Sequence, residues 1–252
     1  MNIQTPYEKF CWSVFDKSFH AHREGVDIQL LAKITPEQKT ELEARLLDVL
    51  PNTNDSRPFV AAGVMKLKSA APILKLRLST GFKTRFNDLN VYAAHALHQI
   101  EQWPDALAVI LNVFQNLPPT LRYEWTRIQV ISALADFPDN KTALKTLFDA
   151  VEDKDTFVGF LAVGTLKKVF AGSSQLAPLL DRLEKTQIEP NRWVPSFLDE
   201  RQELFASLQN ITGITMPKVA RPMIEPKTQQ PEPFRILFNF LASLFRRDKN
   251  KK

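Results

Sequence analysis

The amino-acid sequence predicts an all-α fold, and three observations indicate it. Only seven of the 252 residues are glycine, so the chain has few positions suited to tight hairpins or to phosphate-binding loops. Two segments near the N-terminus carry the residue pattern of a helix start, and four similar apolar segments recur along the chain. These features favour packed helices over nucleotide-binding α/β folds.

The two helix starts are Thr5-Pro6-Tyr7-Glu8 and Thr35-Pro36-Glu37-Gln38. Each places Thr at the N-cap, Pro at the first helical position and Glu or Gln three residues after the cap, which is a capping box reinforced by proline. The first start predicts a helix whose apolar positions run from Tyr7 to Phe15. The second predicts a helix that ends before Pro51.

A repeat begins near Arg57. Four segments share Ala or Val four positions before a large apolar residue: FVAAGVM (59–65), VYAAHAL (91–97), IQVISAL (128–134) and FLAVGTL (160–166). The last residues of these segments lie 32, 37 and 32 positions apart. Each segment precedes a second apolar helix, predicted over 70–79, 104–116, 140–151 and 174–185. A helix pair that recurs about every 34 residues predicts an α-solenoid, in which each pair buries its apolar face against the next.

The repeated segments are similar to HEAT repeats, in which an Asp caps a helix with the pattern Val-Arg-x-x-Ala-x-x-Ala-Leu. The similarity lies in Leu89–Leu97, Thr126–Leu134 and Asp155–Leu166, and among these Arg127 keeps the arginine. It covers roughly residues 57–185. The resemblance implies a HEAT-like α-solenoid of about four to five helix pairs. We expect this solenoid to span residues 1–214, with residues 1–34 as an N-terminal helical cap and a helix over 197–208 that closes the stack.

The C-terminal part of the chain has a different composition. Residues 215–233 include five of the seventeen prolines and predict an extended linker. Beyond it, residues 234–252 predict an amphipathic helix with a basic end. Its expected docking residues are Phe234, Leu237, Phe238, Leu241, Leu244, Phe245, Arg246 and Arg247.

Three roles stay open for this C-terminal helix. An aromatic-rich apolar face beside clustered cations suits an anionic membrane surface. The same face suits a groove on a partner protein, and it could also fold back over the last repeat as a cap. The proline-rich linker favours the first two roles, because a cap needs no long tether.

The charge distribution disfavours nucleic acid as a partner. The formal net charge is +5. Residues 217–252 hold nine Lys or Arg and three Asp or Glu, a net of +6, so residues 1–216 hold 24 basic and 25 acidic residues, a net of −1. A neutral body lacks the summed field that drives non-specific DNA binding.

Cofactors and metals are not expected. The single cysteine, Cys11, lies between Phe10 and Trp12 and predicts a buried thiol, and the sequence contains no zinc-binding cysteine pair. His95-x-x-His98 with Glu101 has a spacing that could suit a metal, but Ala93 and its apolar neighbours define the buried side, so we expect free surface histidines. Catalytic motifs such as a P-loop or a nucleophile elbow do not occur in the sequence.

The expected binding residues follow from the HEAT resemblance, which implies that the helices carrying the repeated segments line a concave surface. On these helices Asn90, His98, Arg122, Tyr123 and Arg127 are the candidates for contact with a partner. Arg127, at the HEAT arginine position, more often orders adjacent repeats than binds a ligand.

The sequence therefore predicts a non-enzymatic helical-repeat binding protein. An adaptor, an assembly factor or a toxin-neutralising immunity protein would fit, with a protein partner on the concave face. The absence of a visible secretory signal predicts a cytoplasmic protein, bound peripherally to a membrane if the C-terminal helix binds lipid. The alternative is a HEAT-like enzyme resembling the alkylpurine DNA glycosylases, although these use a basic groove that the neutral body does not predict.

Overall fold

A computed structural model describes residues 5–18, 21, 25–82, 89–117, 124–188 and 191–219. Throughout these residues the chain is helical, with turns and short 3₁₀ helices between the α-helices and no strand. The α-helices are α1 (Pro6–Phe15), α2 (Pro36–Val49), α3 (Arg57–Val64), α4 (Ala71–Thr80), α5 (Leu89–Glu101), α6 (Ala106–Asn116), α7 (Glu124–Ala133), α8 (Lys141–Val151), α9 (Thr156–Val169), α10 (Leu176–Gln187) and α11 (Pro195–Thr212). Four 3₁₀ helices lie at Ile28–Lys33, Lys68–Ala70, Leu134–Asp136 and Asn191–Trp193.

Both predicted capping boxes form. Thr5 Oγ1 accepts a hydrogen bond from Glu8 N at 3.2 Å, and Glu8 Oε2 accepts one from Thr5 N at 2.9 Å. At the start of α2, Thr35 Oγ1 accepts from Gln38 N at 3.3 Å and Gln38 Oε1 accepts from Thr35 N at 3.0 Å. These bonds satisfy backbone groups that have no partner within the helix.

The helices pack largely against their neighbours in the chain. The four helices that carry the repeated segments contact one another in order: α3 contacts α5, α5 contacts α7, and α7 contacts α9. Helices α4, α6 and α8 each contact the repeated helix that follows, and α10 contacts α11. The all-helical prediction is therefore confirmed within the described residues.

Helix α5 lies between two apolar cores. Ala93, Ala96 and Leu97 are buried in a core that also contains residues of α1 to α4. Val91 and Ala94 are buried in a second core, formed with α6 to α11. Small side chains let the neighbouring helices approach closely, and an added Cβ at Gly63 of α3 would lie 2.9 Å from Ala96 Cα.

The chain divides into two units after Val219. The structure describes residues of the first unit alone, so the predicted linker beyond this point and the predicted helix over 234–252 lie outside the described residues. Within the described part, none of the helices is both long enough and apolar enough to cross a bilayer.

Candidate functional site

Four polar side chains from consecutive repeated helices form one hydrogen-bonded group, which we call the His95 cluster: His95 and Gln99 of α5, Gln129 of α7, and Asp136 of the following 3₁₀ helix. His95 Nε2 donates to Asp136 Oδ2 at 2.8 Å. Gln129 Nε2 donates to His95 Nδ1, and Gln99 Nε2 donates to Asp136 Oδ2, at 3.3 Å and 3.4 Å. With these directions His95 Nε2 is the donor and His95 Nδ1 the acceptor, and Gln99 Nε2 also lies 3.3 Å from His95 Nε2.

Asp136 is the exposed member of this cluster. Its side chain is 41% exposed, whereas that of His95 is 13% exposed. The hydrogen bond from His95 lowers the pKa of Asp136 below its ordinary value. The cluster thus presents to solvent a carboxylate whose orientation is set by groups beneath it, and such a carboxylate can accept hydrogen bonds from a bound partner.

The repeat frame explains why this cluster forms at His95. Two positions before the large residue of each repeated segment stand Gly63, His95, Ser132 and Gly164. Three of these residues are small, so His95 is the one that carries a long polar side chain at this position. That difference is a sequence signal for the cluster. The expectation of a free surface histidine at His95 is wrong, because its ring is hydrogen-bonded to Asp136 and Gln129. Gln99, Gln129 and Asp136 are not among the residues predicted from the sequence.

His98 is not a free surface residue either. Its ring lies against Phe137, with ring centroids 4.2 Å apart and an interplanar angle of 31°. Its Nδ1 atom is buried and has no hydrogen-bond partner among the described residues. The expectation of free histidines is wrong because α3, α4, α6 and α7 pack around α5 and cover most of its sides. A direct role for His98 in partner binding stays a prediction.

Asn90 lies in the first turn of α5 and is half-buried, with its Oδ1 atom buried and without a hydrogen-bond partner among the described residues. It stands eight residues before His98, which on a helix corresponds to about 12 Å along the axis. The structure therefore does not bring these two predicted residues together into one compact site.

Arg127 of α7 is largely buried, at 11% exposure, and forms an ion pair with Asp153 in the turn before α9. Its guanidinium lies 5.8 Å from the centre of the Phe114 ring of α6. Burial lowers the pKa of Arg127, and the charge of Asp155 opposes this effect. The Arg127 side chain thus connects α7 to α6 and to the turn between α8 and α9. Arg122 and Tyr123 lie outside the described residues.

A second buried polar group lies at the C-terminal end of the described chain. Arg192 and Arg201 are both fully buried. Arg192 Nη2 donates to Asp153 O at 2.8 Å, and Arg201 Nη1 donates to Thr186 O at 3.1 Å and to Arg192 O at 3.0 Å. Trp193 lies against both guanidinium groups, at 4.8 Å and 5.7 Å from the ring centre. We call Arg127, Glu152, Asp153, Arg192 and Arg201 the arginine cluster.

Cys11 is buried, as predicted. Arg45 Nη1 donates to its sulfur at 3.3 Å, and burial raises the pKa of the thiol. Across the residues that the structure describes, His, Cys, Asp and Glu do not gather in groups of three or more that could hold a metal ion.

Comparison of the chain with models of known families, with curated proteins and with solved structures finds no match.

Proposed function

We propose that the chain is a non-enzymatic helical-repeat binding protein that holds a protein partner across the surface of α5 and α7. The observation that carries this proposal is the His95 cluster. It joins two consecutive repeated helices and presents one exposed carboxylate whose supporting side chains are hydrogen-bonded to it. Polar groups held in one orientation in this way lose little entropy on binding.

The proposed architecture is a HEAT-like α-solenoid with the repeated helices on its concave side. The order of contacts supports this arrangement, because each repeated helix touches the next one along the chain. In a solenoid such a row of helices forms an extended surface for a partner. Asn90, His98, Arg122, Tyr123 and Arg127 remain proposed contact residues on this surface. The ion pair with Asp153 supports an additional role for Arg127 in ordering adjacent repeats.

Capture from a lysate of the source organism by the full-length chain tests this function. We expect one stoichiometric protein to be retained, and we expect a His95→Ala/Gln129→Ala variant to retain about tenfold less, because the carboxylate of Asp136 is then no longer held in one orientation. Gln115→Ala is the matched control, because Gln115 is exposed on α6 away from the repeated helices. Equal capture by all three proteins would overturn the proposed surface.

The identity of the captured protein, together with a DNA-binding assay, separates the proposed function from the glycosylase-like alternative. Capture of a toxin, an assembly intermediate or a membrane complex would indicate an immunity protein, an assembly factor or an adaptor, respectively. Salt-dependent binding of a DNA duplex that is lost in the His95 cluster variant would instead favour the enzyme.

The C-terminal helix is proposed to tether this binding protein to an anionic membrane surface, at the cytoplasmic side, or to a second partner. The support is the sequence of residues 234–252, with aromatic and leucine residues at helical spacing and Arg246 and Arg247 at the basic end. Sedimentation with vesicles containing anionic lipid tests the membrane role. Removal of residues 234–252 should abolish sedimentation, and unchanged sedimentation would show that the helix is not the tether.

A further inference from the structure

A groove of about 460 Å³ lies where α2 meets the turn between α3 and the 3₁₀ helix Lys68–Ala70. Three exposed lysines line it, namely Lys39 of α2, Lys66 of the turn and Lys68 of the 3₁₀ helix. Glu43 is the carboxylate on its wall, and Ser69 Oγ donates a hydrogen bond to Glu43 Oε1 at 2.6 Å. Three cations against one carboxylate leave the groove with a net charge of +2.

Lys66 occupies a backbone conformation that favours glycine. Its φ angle is +52°. Lys66 N donates to Gly63 O at 2.9 Å, and Leu67 N donates to Ala62 O at 3.0 Å, so the end of α3 is a Schellman motif with lysine at the left-handed position. The chain thus holds a cation at the groove where glycine would relieve backbone strain, and strained residues of this kind concentrate at functional positions.

We propose that this groove binds a phosphate group, either as inorganic phosphate or as the phosphomonoester of a phosphorylated side chain. A phosphate monoester carries a charge of about −1.5 to −2 near neutral pH and several strong acceptor oxygens. That charge matches the net charge of the groove, and the three lysines supply hydrogen-bond donors. The proposed site lies outside the His95 cluster and does not depend on the proposed function.

Titration of the full-length chain with inorganic phosphate, at constant ionic strength maintained with chloride, tests the site. We expect saturable shifts of the backbone amide signals of residues 66–70. Lys66→Gly should weaken phosphate binding about fivefold while raising the melting temperature, because it removes a cation and relieves the strain together. Opposite changes in binding and stability separate a binding role from a purely structural one.

Two further variants make the test sharper. Glu43→Gln should strengthen phosphate binding, because it removes the negative charge on the wall of the groove. Lys185→Ala, a control at an exposed lysine of α10, should leave the affinity unchanged. If Lys185→Ala weakens binding as much as Lys66→Gly does, the interaction is general charge attraction and the proposed site is wrong.

A phosphoserine peptide and its unphosphorylated counterpart distinguish the two sources of the group. Binding of the phosphopeptide more tightly than inorganic phosphate, with the same dependence on Lys66, assigns the groove to a phosphorylated partner. Equal affinity for both assigns it to free phosphate. Absence of saturable amide shifts with either probe would overturn the proposal.

Discussion

Arg201 Nε lies 3.2 Å from Glu152 Oε1, and both side chains are buried, at 0% and 5% exposure. The pair links α11 to the C-terminal end of α8, two elements that are about 50 residues apart in the chain. Burial lowers the pKa of Arg201, and the charge of Glu152 opposes that effect. The ion pair therefore holds the last described helix on the preceding repeats.

Removal of one partner of this pair should be strongly destabilising. Arg201→Met removes the cation that lies beside the buried Glu152, and we expect a loss of about 3–5 kcal/mol in the free energy of unfolding, measured with urea. The double variant Arg201→Met/Glu152→Gln should lose less than the single variant, because the buried charge of Glu152 is then removed together with that of Arg201. A double variant less stable than Arg201→Met would show that the pair is not the main interaction of either residue.

Two glycines of α9 should respond oppositely to alanine. A Cβ at Gly159 would lie 2.7 Å from Val151 O and 2.8 Å from Arg192 Nη1, whereas one at Gly164 would meet no atom within 4 Å. Gly159→Ala should therefore destabilise the protein by about 1–3 kcal/mol through overpacking. Gly164→Ala should stabilise it by about 0.5–1 kcal/mol, because alanine is the better helix former. Thermal unfolding of both variants measures the direction of each change in stability. If both variants are stabilised, the close packing at Gly159 is contradicted.

The His95 cluster should give stability that depends on pH. Because hydrogen bonding lowers the pKa of Asp136 in the folded state, its contribution is present above the ordinary Asp pKa of about 3.9 and disappears as pH falls through the lowered value. At pH 6 the free energy of unfolding of the wild type should exceed that of the Asp136→Asn variant by less than about 1 kcal/mol, since the carboxylate is exposed. The difference should vanish once the pH has fallen below the lowered pKa of Asp136.

Urea unfolding at several pH values measures this difference. His95→Ala is the control background, because the hydrogen bond that lowers the pKa of Asp136 is then missing. In the His95→Ala background, the Asp136→Asn substitution should change the free energy of unfolding by a smaller amount. A pH dependence that persists in the His95→Ala background would mean that another group is responsible.

The capping box of α2 should contribute about 1 kcal/mol. Thr35→Ala removes the acceptor for Gln38 N and should lower the free energy of unfolding by that amount. Thr40 is the matched control, because it is an exposed threonine of the same helix whose hydroxyl donates to Pro36 O. Thr40→Ala should change stability by less than about 0.5 kcal/mol, and equal losses at both positions would argue against the capping role.

Local signals of helix formation predicted most of the secondary structure. The partner helices predicted over 70–79, 104–116, 140–151 and 174–185 match α4, α6, α8 and α10 with shifts of a few residues at their ends. Asp155 caps α9, with its Oδ1 accepting from Phe157 N at 2.9 Å. Such signals are readable because both partners lie within one helical turn.

The buried charges were not predictable in the same way. Arg57, Arg192 and Arg201 would ordinarily be assigned to the surface, yet all three are buried. Arg57 forms an ion pair with Asp55, two residues before it. Part of the hydrogen bonding of these arginines, however, reaches residues distant in sequence: Arg57 Nη1 donates to Ser13 O, 44 residues away, and Arg192 Nη2 donates to Val151 O, 41 residues away. A single sequence carries no local signal for such pairs.

The glycines of α9 show the same limit. Both glycines lie inside α9, but Gly159 packs closely against neighbouring atoms and Gly164 does not. Gly159 packs against Arg192, a residue whose position depends on the end of α10 and the start of α11. Backbone spacing alone could not distinguish the two glycines.

Helix α5 contributes buried residues to both apolar cores. Neither core can open without exposing apolar surface on a helix that the other core also needs, so the two halves of the first unit are energetically coupled. We therefore expect the described region to unfold in a single cooperative transition, with no half-folded state accumulating. A destabilising change near the N-terminus should consequently raise the amide exchange rates of α9 and α10, in the other half of the first unit.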